Sequence, residues 1–339
     1  MFIKTLLCVV TFLFVSHFAS AQWVKQTVNS TASFRGLSVV NEKVIWASGT
    51  DGTVIKTIDA GKTWKVMTVP GAEKLDFRDI EAFDANIAYI LSIGNGESSR
   101  IYKTTDGGTT WKEQFRNKNE KAFFDALACL NPNYCFALSD PVENRFLLLG
   151  LSDDKESWEP MFTPDLPEAK PAEAAFAASG TCVFINLLNI FFVTGGKEAR
   201  VFRAYSRFGY GWIWEPFATP FLHGSAGSGI FSIAMFNGEE GVIVGGNYEK
   251  PDQAKDNLAF TTDGGRTWKL GKGLRGYRSS VTYVNQKTII AVGTNGTDIT
   301  RDGGKTWKKF GNEDLNAVQS KGKRATWAVG PKGMVVKMK

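Results

Sequence analysis

Three short segments of the 339-residue chain set a charged side chain directly after an aromatic one: Phe34-Arg35-Gly36-Leu37, Phe77-Arg78-Asp79-Ile80 and Phe124-Asp125-Ala126-Leu127. Looser counterparts put Glu173, Ser228 and Arg278, the last within Tyr277-Arg278-Ser279-Ser280, in the same relative place. If each segment begins a strand at one common rim, three arginines, two acids and a serine converge there. Such a set suits an anionic ligand or an acidic peptide, because a guanidinium grips a carboxylate through two parallel hydrogen bonds.

Other chemistries find less footing. Beyond residue 21, His223 is the one histidine, and in the apolar-to-Gly-rich stretch from Phe221 to Gly229 it reads as a surface or core residue rather than as the base of a Ser/His/Asp or Cys/His catalytic set. The Gly/Ser run from Gly224 to Gly229 leads into a strand-like stretch, so it lacks the helix N-terminus that a phosphate or dinucleotide site uses. Cys129, Cys135 and Cys182 match neither a zinc spacing nor Cys-x-x-Cys, and no flavin, haem or nicotinamide motif is evident, so no metal and no cofactor are expected. Glycoside hydrolysis needs two suitably spaced carboxylates, and 34 acidic residues leave that open.

What must position the rim residues is a repeat. Thr57-Ile58-Asp59-Ala60-Gly61-Lys62-Thr63-Trp64 recurs from Thr104 to Trp111, from Thr261 to Trp268 and from Thr300 to Trp307, with a degenerate copy ending at Trp158. Each full copy fits S/T-x-D-x-G-x-T-W. The aspartate bonds backbone amides across a tight turn, glycine supplies a positive φ, threonine favours the outgoing strand and tryptophan packs beside it. Asp59, Asp106, Asp263 and Asp302, with Trp64, Trp111, Trp268 and Trp307, are therefore structural residues of a hairpin device. The pattern resembles the Asp-box, or BNR repeat, of sialidases and related propellers.

Three strand-like runs precede each box, as Leu37 to Val40, Val44 to Ser48 and Gly52 to Lys56 do in the first unit, and no helical periodicity competes with them. Units end near Trp64, Trp111, Trp158, Trp214, Trp268 and Trp307, roughly 40 to 55 residues apart, the spacing of propeller blades. The tail adds three strands but no box, while Gln22-Trp23-Val24-Lys25-Gln26 reads like the strand that follows a box. The expectation is an all-β, seven-bladed β-propeller of four-stranded blades, closed by the N-terminal strand completing the last blade. Blade four carries Gly209-Tyr210-Gly211-Trp212-Ile213-Trp214 where a box belongs, and blade five carries an insertion from Asn247 to Asn257; drift and a partner surface are both open for these.

The N-terminus reads as a leader. Lys4 precedes an apolar run to about Phe18, and Ala19-Ser20-Ala21 is a small-x-small cleavage pattern. Residues 1–21 are expected to be a signal peptide cut between Ala21 and Gln22, and residues 22–339 a single exported propeller, periplasmic or secreted. The run is shorter than the roughly 20 residues a spanning helix needs, so no membrane span is expected. An oxidising compartment would let Cys129 and Cys135 pair across the intervening turn; a disulfide and two free thiols both remain open. The formal charge of +6 is mild and its basic residues are interleaved with acids, which argues against nucleic acid. A monomer is expected, with a protein, an anionic ligand or a glycan of the cell envelope or medium as partner.

Over nearly the whole stretch after the leader, the chain resembles the photosystem II stability/assembly factor-like family of seven-bladed propellers, within the wider WD40/YVTN-like repeat superfamily. The likeness rests on Phe34-Arg35-Gly36-Leu37, Trp46-Ala47-Ser48-Gly49, Gly52-Thr53-Val54, the four boxes, Trp327-Ala328-Val329-Gly330 and Gly333-Met334-Val335. It is closer to an exported bacterial branch often labelled oxidoreductase, through Ala137-Leu138-Ser139-Asp140-Pro141, Glu173 to Thr181 and Ser228 to Ile233. The resemblance implies a non-catalytic scaffold that holds a protein through an arginine-rich face, for which Arg35, Arg78 and Arg278 are the candidates here. An exported enzyme, either an oxidoreductase or a sialidase-like glycan hydrolase, is the alternative.

Overall fold

The computed structural model describes residues 22–161, 166–207 and 211–339; residues 1–21, expected to be a signal peptide, and Gly209 and Tyr210 of blade four lie outside them. Seven antiparallel sheets follow one another along the chain and close into a ring. In blade 1 the strands run from the channel outward as Phe34–Val39, Ile45–Gly49, Thr53–Thr57 and Lys65–Thr68. The inner strands of blades 2 to 7 are Phe77–Ala82, Phe124–Asn131, Val183–Ile185, Ser225–Met235, Ser280–Tyr283 and Ala317–Ser320, and the blade 5 sheet carries two further two-residue strands, Gly195–Gly196 and Glu173–Ala174, on the inner side of Ser225–Met235. Trp23–Lys25 is the outermost strand of blade 7, pairing Trp23 with Met338 and Lys25 with Val336. Without it, Val335–Met338 would stand as the outer edge of a three-stranded blade.

The boxes join the two outer strands of their blades. In the first, Asp59 Oδ1 accepts from the Thr63 amide at 2.9 Å and from the Thr57 hydroxyl at 2.7 Å, while the Thr63 hydroxyl donates to Oδ2 at 2.6 Å. The same three bonds form around Asp106, Asp263 and Asp302. The second function of each box lies across the joint to the preceding blade. A Cβ on Gly61 would stand 2.5 Å from the Trp327 ring, one on Gly265 3.0 Å from Phe191 and one on Gly304 2.3 Å from Phe260. Glycine is required here for contact as well as for φ.

The irregular units solve the same problem differently. The third box is one residue shorter, yet Ser152 still donates to Asp154, and Lys155 takes the positive φ of +62°. Trp158 packs edge-on against Tyr89 of blade 2, as Trp64 packs against Trp327 of blade 7. Blade 4 has no box: Arg200–Arg207 and Gly211–Ala218 form a long hairpin in unbroken register from Arg200↔Ala218 to Arg207↔Gly211. Cys129 and Cys135 are direct cross-strand partners in blade 3 and are joined by a disulfide, with Cys182 a buried free thiol.

The apolar cores lie between neighbouring blades, as where Phe34, Leu37 and Ile55 meet Trp327 and Val335. Near the channel the joints are polar. Asp79 accepts the Leu127 amide of the next blade at 2.8 Å, Ser232 the Val281 amide at 3.0 Å and Ser280 the Val318 amide at 3.2 Å. These amides, on the inner edge of each sheet, are thereby satisfied by the neighbouring blade.

Candidate functional site

The rim residues owe their direction to a bulge. In blades 1, 2 and 3 the inner ladder skips one residue, between Phe34 and Gly36, between Phe77 and Asp79, and between Phe124 and Ala126. The extra residues are Arg35, Arg78 and Asp125, released from pairing at the end of the channel where the inner strands begin, here termed the upper mouth. A bulge re-aims a side chain without ending the strand. All three line a cavity of ≈ 520 Å³.

The other three candidates do not line it. Blade 5 bulges between Ile230 and Ser232, so Phe231 occupies the rim position and Ser228 instead exchanges hydrogen bonds with Ser225. In blade 6, Ser280 pairs with Val292 and the Ser279 amide donates to the Val292 carbonyl, which makes Ser279 the rim residue. Arg278 is one residue out of phase and points to the opposite side. It is fully buried, donating to Asp298, which also receives Arg275 at 2.6 Å. Glu173 begins only the two-residue strand Glu173–Ala174, which is not one of the four strands of blade 4. It pairs with Gly196 at the inner edge of the blade 5 sheet and is locked to buried Arg200 at 2.9 Å. The signature that would have found the rim is apolar-x-small-apolar: Phe34-Arg35-Gly36-Leu37 and Ile230-Phe231-Ser232-Ile233 share it with Leu315-Asn316-Ala317-Val318, and Asn316 also lines the cavity. Arg278 hides the match in blade 6 by standing at an apolar position.

Sequence reasoning also missed a crossing segment. From Ala174 to Thr181 the chain runs over the channel and bonds to blade after blade: the Ala175 amide donates to Asp140 at 2.8 Å, Arg78 and Arg35 donate to the Ala177 and Ala178 carbonyls at 3.1 Å, and Ser179 donates to the Ser279 carbonyl at 2.9 Å. Gly180 sits against the Asp79 carboxyl, only 2.2 Å from where a Cβ would be. Ala174 to Ala178 face the upper cavity; Ser179 to Thr181 face a second cavity of ≈ 350 Å³, lined also by Asp79, Glu81 and Lys321.

The upper cavity is electrostatically divided. Arg78 is paired with Asp76 at 2.7 Å, whereas Arg35 makes no salt bridge among the described residues. Burial, then the neighbouring charge of Arg78, lowers the pKa of Arg35, so the site favours an added anion. On blade 3, burial and the charge of Asp140 push Asp125 well above the usual carboxylate range, and burial lifts Asp140 to about 6. Phe176 stacks on Phe231 at 3.9 Å, and Tyr277 meets Phe231 edge-on at 4.8 Å. Tyr248, from the blade 5 insertion, completes this aromatic side.

Fold and site together define a seven-bladed β-propeller with a charged, aromatic-walled cavity at one mouth. Solved structures of the same architecture include YCF48 bound to a D1 peptide, 17% identical with a TM-score of 0.67, over 93% of this chain and 96% of that one. YCF48 from Cyanidioschyzon merolae is 16% identical with a TM-score of 0.63, over 94% and 99%. The WD40 propeller domain of Doa1 is 9% identical with a TM-score of 0.61, over 95% and 97%. At these identities the likeness is one of fold. No family model matches the chain. No curated protein matches it either.

Proposed function

We propose that the chain is an exported, non-catalytic binding or assembly scaffold of the photosystem II stability/assembly factor-like kind, holding a protein or another anionic ligand at the upper mouth. The observation that carries this reading is Arg35, a guanidinium without an acidic partner among the described residues, beside Arg78 on the wall of a ligand-sized cavity. A guanidinium already stripped of much of its water attracts a carboxylate more strongly than an exposed one does. The structure of YCF48 with a D1 peptide supports the reading to the extent that a propeller of this fold accommodates a peptide. The leader-like residues 1–21 support export to the periplasm or medium.

The test is a pull-down from envelope extract with the purified protein beside the Arg35→Ala/Arg78→Ala double variant. A partner held by the parent and lost by the folded variant is the expected result; a partner indifferent to both arginines would remove the upper mouth from consideration. One observation favours an enzymatic alternative, glycan hydrolysis: Asp125 and Asp140 are two carboxyls on one cavity wall. Turnover of a glycan that disappears in Asp125→Asn would favour that alternative.

A further inference from the structure

The acidic wall of the upper cavity has no use in a site that reads only an anion. Asp125 is 1% exposed, and its Oδ2 is buried without a hydrogen-bond partner. Leaving a buried acceptor unmatched is costly, and a ligand that brings a donor recovers that cost on binding. Asp140 stands beside it, with Oδ1 occupied by the Ala175 amide. Around the cavity the order is acid on blade 3, the Asp76-neutralised Arg78 on blade 2, and unpaired Arg35 on blade 1. The opposite side is aromatic, from Phe176, Phe231 and Tyr277.

We propose that the upper cavity selects a small zwitterion with an apolar body, the chemistry of a free α-amino acid with an aromatic side chain. Its ammonium meets Asp125 and Asp140, its carboxylate meets Arg35, and its ring lies against the aromatic side. The proposal rests on the reading of this cavity as a binding site and narrows its ligand. A divalent metal fits less well, because among the described residues no third metal-ligating side chain joins the two carboxyls. The titratable and charged groups that surround Asp125 are Asp140, Arg78 and Cys182. Near pH 6 the empty acid pair retains a proton, and an arriving ammonium expels it to the buffer.

Titration calorimetry of the purified protein near pH 6, in two buffers of different ionisation enthalpy, would use L-phenylalanine, 3-phenylpropanoate without the ammonium, and phenethylamine without the carboxylate. Phenylalanine is expected to bind at least about tenfold more tightly than either analogue, with net proton release. Asp125→Asn and Asp140→Asn, each checked for an unchanged circular dichroism spectrum, should abolish the proton release and the preference over 3-phenylpropanoate. Arg35→Ala should abolish the preference over phenethylamine. Equal or tighter binding of 3-phenylpropanoate, or no heat from phenylalanine up to about 10 mM, would overturn the proposal. An envelope partner that still depends on Arg35 and Arg78 would then leave the scaffold reading standing without it.

Discussion

Four carboxyls at the centre of the ring titrate in the opposite sense to the box aspartates. Burial raises Asp79 to about 7 and Asp140 to about 6, and it lifts Glu81 and Asp125 well above their ordinary values. A raised folded-state pKa means that the folded protein keeps a proton the unfolded chain has released. The stability contributed is whole below about pH 4 and is lost as pH rises toward 7. Asp59, Asp106 and Asp263 are instead lowered to about 2 by the threonine hydroxyls and amides around them, burial opposing this most at Asp263. Their contribution is present above about pH 4 and fades as pH falls toward 2. Urea midpoints measured from pH 3 to pH 8 should therefore peak between about 4 and 5, and Asp79→Asn should flatten the descent above about 5. A midpoint that rises steadily from 4 to 8 would contradict the desolvation of these groups.

The strand-turn-strand units divide into turn geometry and joint packing, and two adjacent glycines separate those contributions. Gly303 and Gly304 both have positive φ, +75° and +91°, but a Cβ on Gly303 would meet only the Gln286 carbonyl at 4.0 Å, while one on Gly304 would enter the Phe260 ring. Gly303→Ala should cost about 1 kcal/mol of backbone strain. Gly304→Ala should cost about 3 kcal/mol or more, since steric overlap in the joint adds to the strain. Equal losses in chemical denaturation would mean the box does not seal the joint. The Cys129–Cys135 disulfide spans only six residues of sequence, so reduction should lower stability by about 2 kcal/mol and leave the far-ultraviolet circular dichroism spectrum unchanged. The boxes were legible in sequence because local turn chemistry imposes a fixed spacing. The crossing segment was not, because Ala174 to Thr181 is held by carbonyls, an amide and two hydroxyls whose partners lie in five other blades. The register of the rim was legible in blades 1 to 3, where Phe34, Phe77 and Phe124 mark the bulge, and was lost in blade 6, where Arg278 stands at the corresponding apolar position.

For the molecule as a whole, blade number and closure followed from counting tryptophans and from the similarity of Gln22 to Gln26 to the strand after a box. The closing strand is short, and its hold depends on Trp23, which is buried, donates from Nε1 to Thr297 at 3.0 Å and meets Phe310 edge-on. Trp23→Ala should lower unfolding stability by about 3–5 kcal/mol. The loss should appear in intrinsic fluorescence and in circular dichroism together if the ring unfolds as one unit; a change confined to blade 7 would show that the ring opens there first. That pairing of Trp23 with Met338 also orders events in time. Trp23–Lys25 finds its partner only when Val335–Met338, about 300 residues later, has been synthesised, so a chain that stops short of that strand leaves Trp23–Lys25 without a ladder to join.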